Sequence, residues 1–329
     1  MREAIILAVV IVAVVVMGPA DSTGWGASRS PVPGTWEWRP AAQFGGSATS
    51  FSAAVAIGDT AYITTGYDAT NALWQYDPVR DTWARKADFP GKPRGAAVAF
   101  SIDGKGYVGL GYGDDARYAD LWEYDASGDR WTRKSSIPGG ARDHSGAFVI
   151  GRAAFIVGGM TCAGNDCTDL KDVWAYEPKA DRWTKKTDMP ETIAAPATFV
   201  LRGKGYVGTG MVSGALSRNL WEYDPRRDNW TRRAPFPGPA RFRAVGFSVD
   251  TKGYLGTGIA SQNETSAVVF KDLWDYDPRT DAWTRQPDFG GSARGAAVAF
   301  VLGSRAFIGT GVDSDRQRLR DCWRVGPAK

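Results

Sequence analysis

Short apolar runs, each closed by glycine, recur along this chain, and each is followed by a segment in which aromatic and polar residues alternate. The runs read "AYITTG" ending at Gly66, "GYVGLG" at Gly111, "AFIVGG" at Gly159, "GYVGTG" at Gly210, "GYLGTG" at Gly258 and "AFIGTG" at Gly311. The segments that follow read "LWQYDPVRDTWARK" from Leu73, "LWEYDASGDRWTRK" from Leu121, "VWAYEPKADRWTKK" from Val173, "LWEYDPRRDNWTRR" from Leu220 and "LWDYDPRTDAWTRQ" from Leu273. Upstream of each glycine-closed run lies another apolar stretch, such as "GAAVAFSI" or "GAAVAFVL", and a turn such as "DGK", "RGK" or "TKG" joins the two. In the aromatic segment a period of two puts Trp221 and Tyr223 on one face of a strand. The following "DPRRD" is a turn, because Asp bonds its own backbone and Pro presets φ. Each unit therefore predicts four short strands: two apolar, then a loop, then a hairpin carrying two tryptophans.

The first of these tryptophans falls at Trp74, Trp122, Trp174, Trp221, Trp274 and Trp323, the second at Trp38, Trp83, Trp131, Trp183, Trp230 and Trp283, with steps of 45 to 53 residues. That makes six units, and 12 of the 14 tryptophans are repeat positions, which assigns them to architecture before any chemistry is considered. A lone four-stranded sheet cannot bury both faces, whereas stacking six around an axis can; the expectation is an all-β, six-bladed β-propeller. The last unit lacks its second tryptophan, while Trp38 is surplus at the other end, in a segment matching that around Trp283. The N-terminal strand is thus expected to complete the last blade and leave no open edge. Glycine after an apolar strand, then "LW.YD...D.W", with this period, resembles the Kelch repeat from Gly34 to the C-terminus. Only Gly158–Gly159 keeps that repeat's full double glycine.

Composition changes the picture at the N-terminus. "IILAVVIVAVVVMG", from Ile5 to Gly18, follows Arg2 and Glu3 and precedes small residues ending at Ala20. This reads as a signal peptide over 1–20, or else an uncleaved anchor, then a linker over 21–33 and the propeller over 34–329. Either way the body of the protein is expected outside the cytoplasm, periplasmic or at the cell surface. A formal net charge of +4 among 329 residues, with Lys and Arg scattered, gives no case for nucleic acid. No membrane contact beyond the leader is expected, and the chain is expected to be a monomer. Cys162 and Cys167 in "TCAGNDC" fit a disulfide stapling a loop in an oxidising compartment, leaving Cys322 unpaired. With a single histidine and no second cysteine pair, no metal and no cofactor is expected. Asn229-Trp-Thr and Asn263-Glu-Thr are glycosylation sequons of use only in a eukaryotic secretory pathway.

Function should sit where the units differ. From glycine to the next first tryptophan the spacing is 8, 11, 15, 11, 16 and 12 residues, so the variation is concentrated in the loop between the second and third strands. Those loops share a face with the entry to each inner strand, where the residue 11 after the second tryptophan is Thr49, Arg94, Arg142, Ala194, Arg241 or Arg294. Arg94, Arg142, Arg241 and Arg294, with Arg243 and Thr49, are the candidate ligand-binding residues at the rim of a central pocket; the alternative is that the arginines pair with carboxylates of the blades. A guanidinium fork suits a carboxylate. The leading expectation is a non-catalytic propeller binding a protein or peptide with an acidic segment, or an anionic glycan. Among Kelch-like proteins, copper radical oxidases need more histidine than His144 provides, and His144 is expected to pack. The chain also resembles periplasmic N-acetylneuraminate epimerases. That resemblance implies arginine for the sugar carboxylate and a carboxylate as acid/base, for which Asp143 and Glu191 are the candidates.

Overall fold

The structure, a computed structural model, describes residues 36–327 apart from Ala69, Asp115, Asn165 and residues 263–265. The expected leader, the linker and the sequon at Asn263 lie outside the described residues. The chain forms six four-stranded antiparallel sheets and no helix among the described residues. Blade 1 runs from the axis outward as Ala53–Ile57, Thr60–Thr64, Leu73–Asp77 and Thr82–Lys86. Blades 2 to 5 repeat this from inner strands beginning at Val98, Gly146, Ala197 and Val245. Blade 6 takes three strands from the C-terminal end, Val298–Leu302, Arg305–Gly309 and Cys322–Pro327, and its outermost from the N-terminal end, Trp36–Ala41. The ring closes as the surplus Trp38 indicates, with Trp38 opposite Val325.

Side chains of alternating parity reach the two neighbouring blades, so each sheet has two buried faces. Phe100 stacks on Tyr107 at 5.0 Å, and the pair meets Tyr176 of the next blade. Phe148 with Phe155 meets Tyr223, Phe199 with Tyr206 meets Tyr276, and Phe300 with Phe307 meets Tyr76 across the seam. Burying an aromatic on both sides of each interface contributes a few kcal/mol per residue, on the order of 2–3.

The aromatic phrase of the repeat is a clasp between blades. Tyr124 donates to the Asp129 carboxylate at 2.6 Å, and the same Oδ1 accepts the Ala87 backbone N–H of the preceding connection at 2.9 Å. Trp131 Nε1 donates to the Ala87 carbonyl at 2.9 Å. The same three bonds recur with Tyr76, Asp81 and Trp83 on Ala42, with Tyr176, Asp181 and Trp183 on Ser135, with Tyr223, Asp228 and Trp230 on Thr187, and with Tyr276, Asp281 and Trp283 on Ala234. Each turn Asp sits at φ 46–52°, a region that Asp tolerates better than most residues.

Candidate functional site

Each inner strand is entered through three residues whose backbone is the same in every blade. The carbonyl of the first accepts the N–H of the preceding blade's run-closing glycine: Gly66 bonds Arg94, Gly111 bonds Arg142, Gly159 bonds Ile193, Gly210 bonds Arg241, Gly258 bonds Arg294 and Gly311 bonds Thr49, all at 2.7–2.9 Å. These glycines have φ of 89–120°, and a Cβ on Gly66 would stand 2.3 Å from Thr49 Oγ1, so nothing larger fits. The pattern corrects one register. In blade 4 the residue equivalent to the arginines is Ile193, with Ala194 one place beyond, because the connection into that blade is one residue shorter. The spacing of 16 rather than 17 from Ala194 to Gly210 is the trace of that shift.

The arginines themselves point into the blades. Arg142 Nη1 and Nη2 reach Asp172 Oδ1 and Oδ2 at 2.6 and 2.9 Å, and Arg294 reaches Asp321 with both bonds at 2.7 Å. Arg94 forks onto Asp120 and Arg241 onto Asp272 in the same way. Each also donates to carbonyls on both sides, such as Leu110 and Lys92 for Arg94, and all four are at most 2% exposed. Each Asp also accepts from the first tryptophan of its blade, as Trp174 Nε1 to Asp172 at 2.6 Å. Burial pushes the Asp172 and Asp321 carboxyls up, but the arginine bonds and charge outweigh it and hold both below the ordinary carboxylate range. Arg94, Arg142, Arg241 and Arg294 therefore brace the variable loop to the strand entry, and their donors are committed. Blade 1 has Thr49 and Ala72 in place of the pair, with Thr49 fully buried beside Ser52 at 3.2 Å. In blade 4, with Ile193, the carboxylate comes from Glu191, which accepts from Trp221 at 2.6 Å and Asn219 at 2.9 Å. Glu191 is thus occupied as a brace.

The third residue of each entry reaches the axis. Phe51, Ala96, His144, Ala195, Arg243 and Ala296 all have φ of 51–60°, and each N–H donates to the carbonyl of its predecessor in the ring at 2.7–3.3 Å, Phe51 closing onto Ala296. This is a cyclic backbone collar of six bonds. The collar itself lines a cavity of about 110 Å³, and along the inner strands a second of about 180 Å³ is lined by small residues such as Ala54, Ala99 and Thr198. Large and small side chains alternate around the collar, and the three large ones meet: the Arg243 guanidinium lies 4.2 Å from the Phe51 ring centre, Phe51 is edge-on to His144 at 5.7 Å, and Arg243 Nη2 is 3.4 Å from His144 Nε2.

Polar groups converge on this trio. Asp143 is 2% exposed; its Oδ1 stands 3.2 Å from His144 Nδ1 and its Oδ2 3.3 Å from Arg117 Nε. Neither Asp143 Oδ1 nor His144 Nδ1 has a hydrogen-bond partner among the described residues. Arg117, from the blade 2 loop, lies over Tyr112 at 5.1 Å, and Tyr67, from the blade 1 loop, packs tilted by 33° against Phe51 at 4.5 Å. Burial depresses the His144 pKa, and the positive charges of Arg243 and Arg117 add to this against Asp143, so the imidazole is neutral at pH 7. Burial also lowers the Arg243 guanidinium to about 10 and raises the Tyr67 phenol. The blade 3 loop extends two of its strands into a long hairpin, Ala153–Ala163 and Asp166–Glu177, on which Cys162 and Cys167 face each other and are disulfide-bonded. Among the described residues no group of three or more metal-ligating side chains occurs, and no helix is long and apolar enough to cross a membrane.

Of the ligand-binding candidates, then, Arg243 reaches the axis, where it meets His144, and the acid/base candidate Asp143 lies beside that histidine; Arg117, Tyr67 and Tyr112 enter from loops that no repeat pattern describes. The signal for the axial set was divergence: the third entry position, two after Thr49, Ile193 or an arginine, holds Phe, Ala, His, Ala, Arg and Ala in otherwise near-identical units.

Fold and repeat together define a Kelch-type β-propeller of six blades. A Kelch motif is matched over residues 141–190. Over 82 residues the chain is 33% identical to the N-acetylneuraminate epimerases of Escherichia coli (strain K12) and Shigella sonnei, and 32% to that of Shigella flexneri. That stretch is 25% of this chain and 22% of each of those proteins. The whole propeller superposes on the solved structure of YjhT with a TM-score of 0.74, covering 87% of this chain and 99% of that one at 17% identity.

Proposed function

We propose that this propeller binds a carboxylated sugar at the axial mouth of its loop face, and that it does so outside the cytoplasm. The observation that carries the reading is the convergence of Arg117, Arg243, Asp143 and His144 beside Phe51 and Tyr67. Guanidinium groups suit the sugar's carboxylate, the Asp143–His144 pair suits hydroxyls, and the aromatic rings suit an apolar sugar face. The likeness to N-acetylneuraminate epimerases supports this ligand class, and the Cys162–Cys167 disulfide suits an exported protein.

A second reading is favoured by the Asp143–His144 pair. Interconverting sugar anomers requires a base to take the proton of the anomeric hydroxyl and an acid to protonate the ring oxygen as the ring bond breaks. The Asp143 carboxylate and the neutral His144 imidazole are both bases: either can take the anomeric hydroxyl proton and, as the conjugate acid so formed, deliver that proton to the ring oxygen. Calorimetric titration with N-acetylneuraminate, paired with NMR of anomer re-equilibration, tests both readings. Binding that weakens at least tenfold in Arg243→Met supports the site, and no binding to the wild type removes it. Acceleration of re-equilibration that is lost in Asp143→Asn, with binding kept, makes the protein an epimerase.

A further inference from the structure

Between blades 6 and 1 lies a cavity of about 680 Å³, on the side of the ring opposite the axial mouth. It is bordered by the turns of that side, Gly303–Ser304 in blade 6 and Asp59 and Pro78–Val79 in blade 1. Charge in its blade 6 wall breaks the pattern of the other blades. In blades 2, 4 and 5 the second strand opens on Lys105, Lys204 or Lys252. An acid of the third strand meets each lysine, Asp125 at 2.7 Å, Glu222 at 2.7 Å and Asp275 at 2.6 Å. Blades 1 and 3 are neutral at both positions, with Thr60 and Gln75 in one and Ala153 and Ala175 in the other. Blade 6 is cationic at both. Arg305 stands at the lysine position, and Arg324, opposite Phe307, takes the register of Glu123, Glu222 and Asp275. The other acceptor is gone too, because Gly326 takes the register of Asp125.

Like charges on neighbouring strands repel. Arg39, the third arginine of the cavity, is held by Glu37 at 2.8 Å. The guanidinium groups of Arg305 and Arg324 have no hydrogen-bond or ion-pair partner among the described residues, and Asp59 across the cavity pairs with neither. Arg324 is half-buried, so water solvates it only in part. We infer that this cavity is a second ligand site, independent of the axial mouth, for a phosphate monoester whose phosphoryl group bridges Arg305 and Arg324. A phosphoryl dianion offsets both charges, and its three terminal oxygens accept from two guanidinium forks at once. The remaining space, with Val79 91% exposed at the rim, suits the organic body of such an ester. A small phosphate ester in solution and the headgroup of a phospholipid share this chemistry.

Two probes test this on the full chain: glycerol phosphate by calorimetry, and phosphatidic acid vesicles, against phosphatidylcholine vesicles, by co-sedimentation. Arg324→Glu restores the sign found in blades 2 and 4 and gives Arg305 a partner, so its melting temperature is expected to equal or exceed that of the wild type. Binding in either arm is expected to weaken at least about 10-fold in this variant, the loss of one charge-assisted bond. Arg305→Gln is an independent second variant with the same direction. Arg152→Glu makes the same change of charge at the blade 3 turn on this side of the ring and is expected to leave binding unchanged. Binding of glycerol phosphate assigns a ligand in solution, and capture by phosphatidic acid vesicles alone assigns a lipid. Binding that Arg324→Glu leaves intact, or that Arg152→Glu weakens equally, overturns the site. A wild type that binds neither probe overturns it as well.

Discussion

Four arginines do the same work in four blades because the aspartate two residues before the first tryptophan is present in the same four. Where the arginine is lost, as at Thr49 and Ile193, the aspartate is lost too, to Ala72 and Asn219. A buried guanidinium or carboxylate left alone is costly, so the pair is kept or dropped as a unit. Arg294→Thr is expected to cost about 3 kcal/mol in urea unfolding, because it leaves the half-buried Asp321 without its counter-charge, with Trp323 as its remaining side-chain donor. Adding Asp321→Ala, which recreates blade 1, is expected to recover at least about 1 kcal/mol of that loss; strict additivity of the two changes would mean the fork carries no coupling. His144 shifts stability with pH in the same direction as a paired acid, though its cause is burial and not a partner. Its folded pKa is depressed, so the unfolded chain binds the proton more readily. Its contribution is full above the ordinary histidine value of 6.5 and is lost as pH falls through the folded value. The melting temperature of the wild type should thus fall between pH 7 and pH 5, and that of His144→Asn, which tolerates the positive φ, should fall less. An equal slope in both proteins would place the acid sensitivity elsewhere.

At the scale of the element, the repeat was legible and its purpose only partly so. Period-two alternation and turn chemistry identify the outer hairpin, because both are local properties of the strand. That Tyr124, Asp129 and Trp131 close onto the backbone of the preceding blade is not local, and nothing in the spacing marks Ala87 as the acceptor. The arginines show the same limit. Their position at the strand entry was readable, as was the choice between ligand and carboxylate partner, but the choice itself needed the loop carboxylate to be brought within 3 Å. Arg243 was readable as a candidate, but its meeting with Phe51 and His144 was hidden for a different reason: the three come from different blades, and only closure of the ring makes them neighbours. The outer strands show one feature readable from either level. Basic residues such as Arg85, Arg133, Lys185, Arg232 and Arg285 lie on the exposed edge of their blades, where charge discourages pairing with another chain.

At the scale of the whole molecule, six sheets become one body through three concentric closures. The innermost is the collar, where Phe51 bonds Ala296; the next is the glycine ring, where Gly311 bonds Thr49; the outermost is the strand Trp36–Ala41 on Cys322–Pro327. The first two join residues already held by their own blades, whereas the third depends on one strand whose main apolar anchor is Trp38, edge-on to Phe289 at 4.9 Å. The closures should therefore fail from the outside inward. Trp38→Ala is expected to cost about 3 kcal/mol, as large-to-small aromatic changes in a packed site do. Because the collar survives, the loss should appear first as local opening. Hydrogen exchange should quicken at residues 37–41 and 322–326 by 10-fold or more, while amides of the collar residues and of blades 2 to 4 keep their protection. If every blade loses protection together, the seam is not a separable unit, and the propeller opens only as a whole.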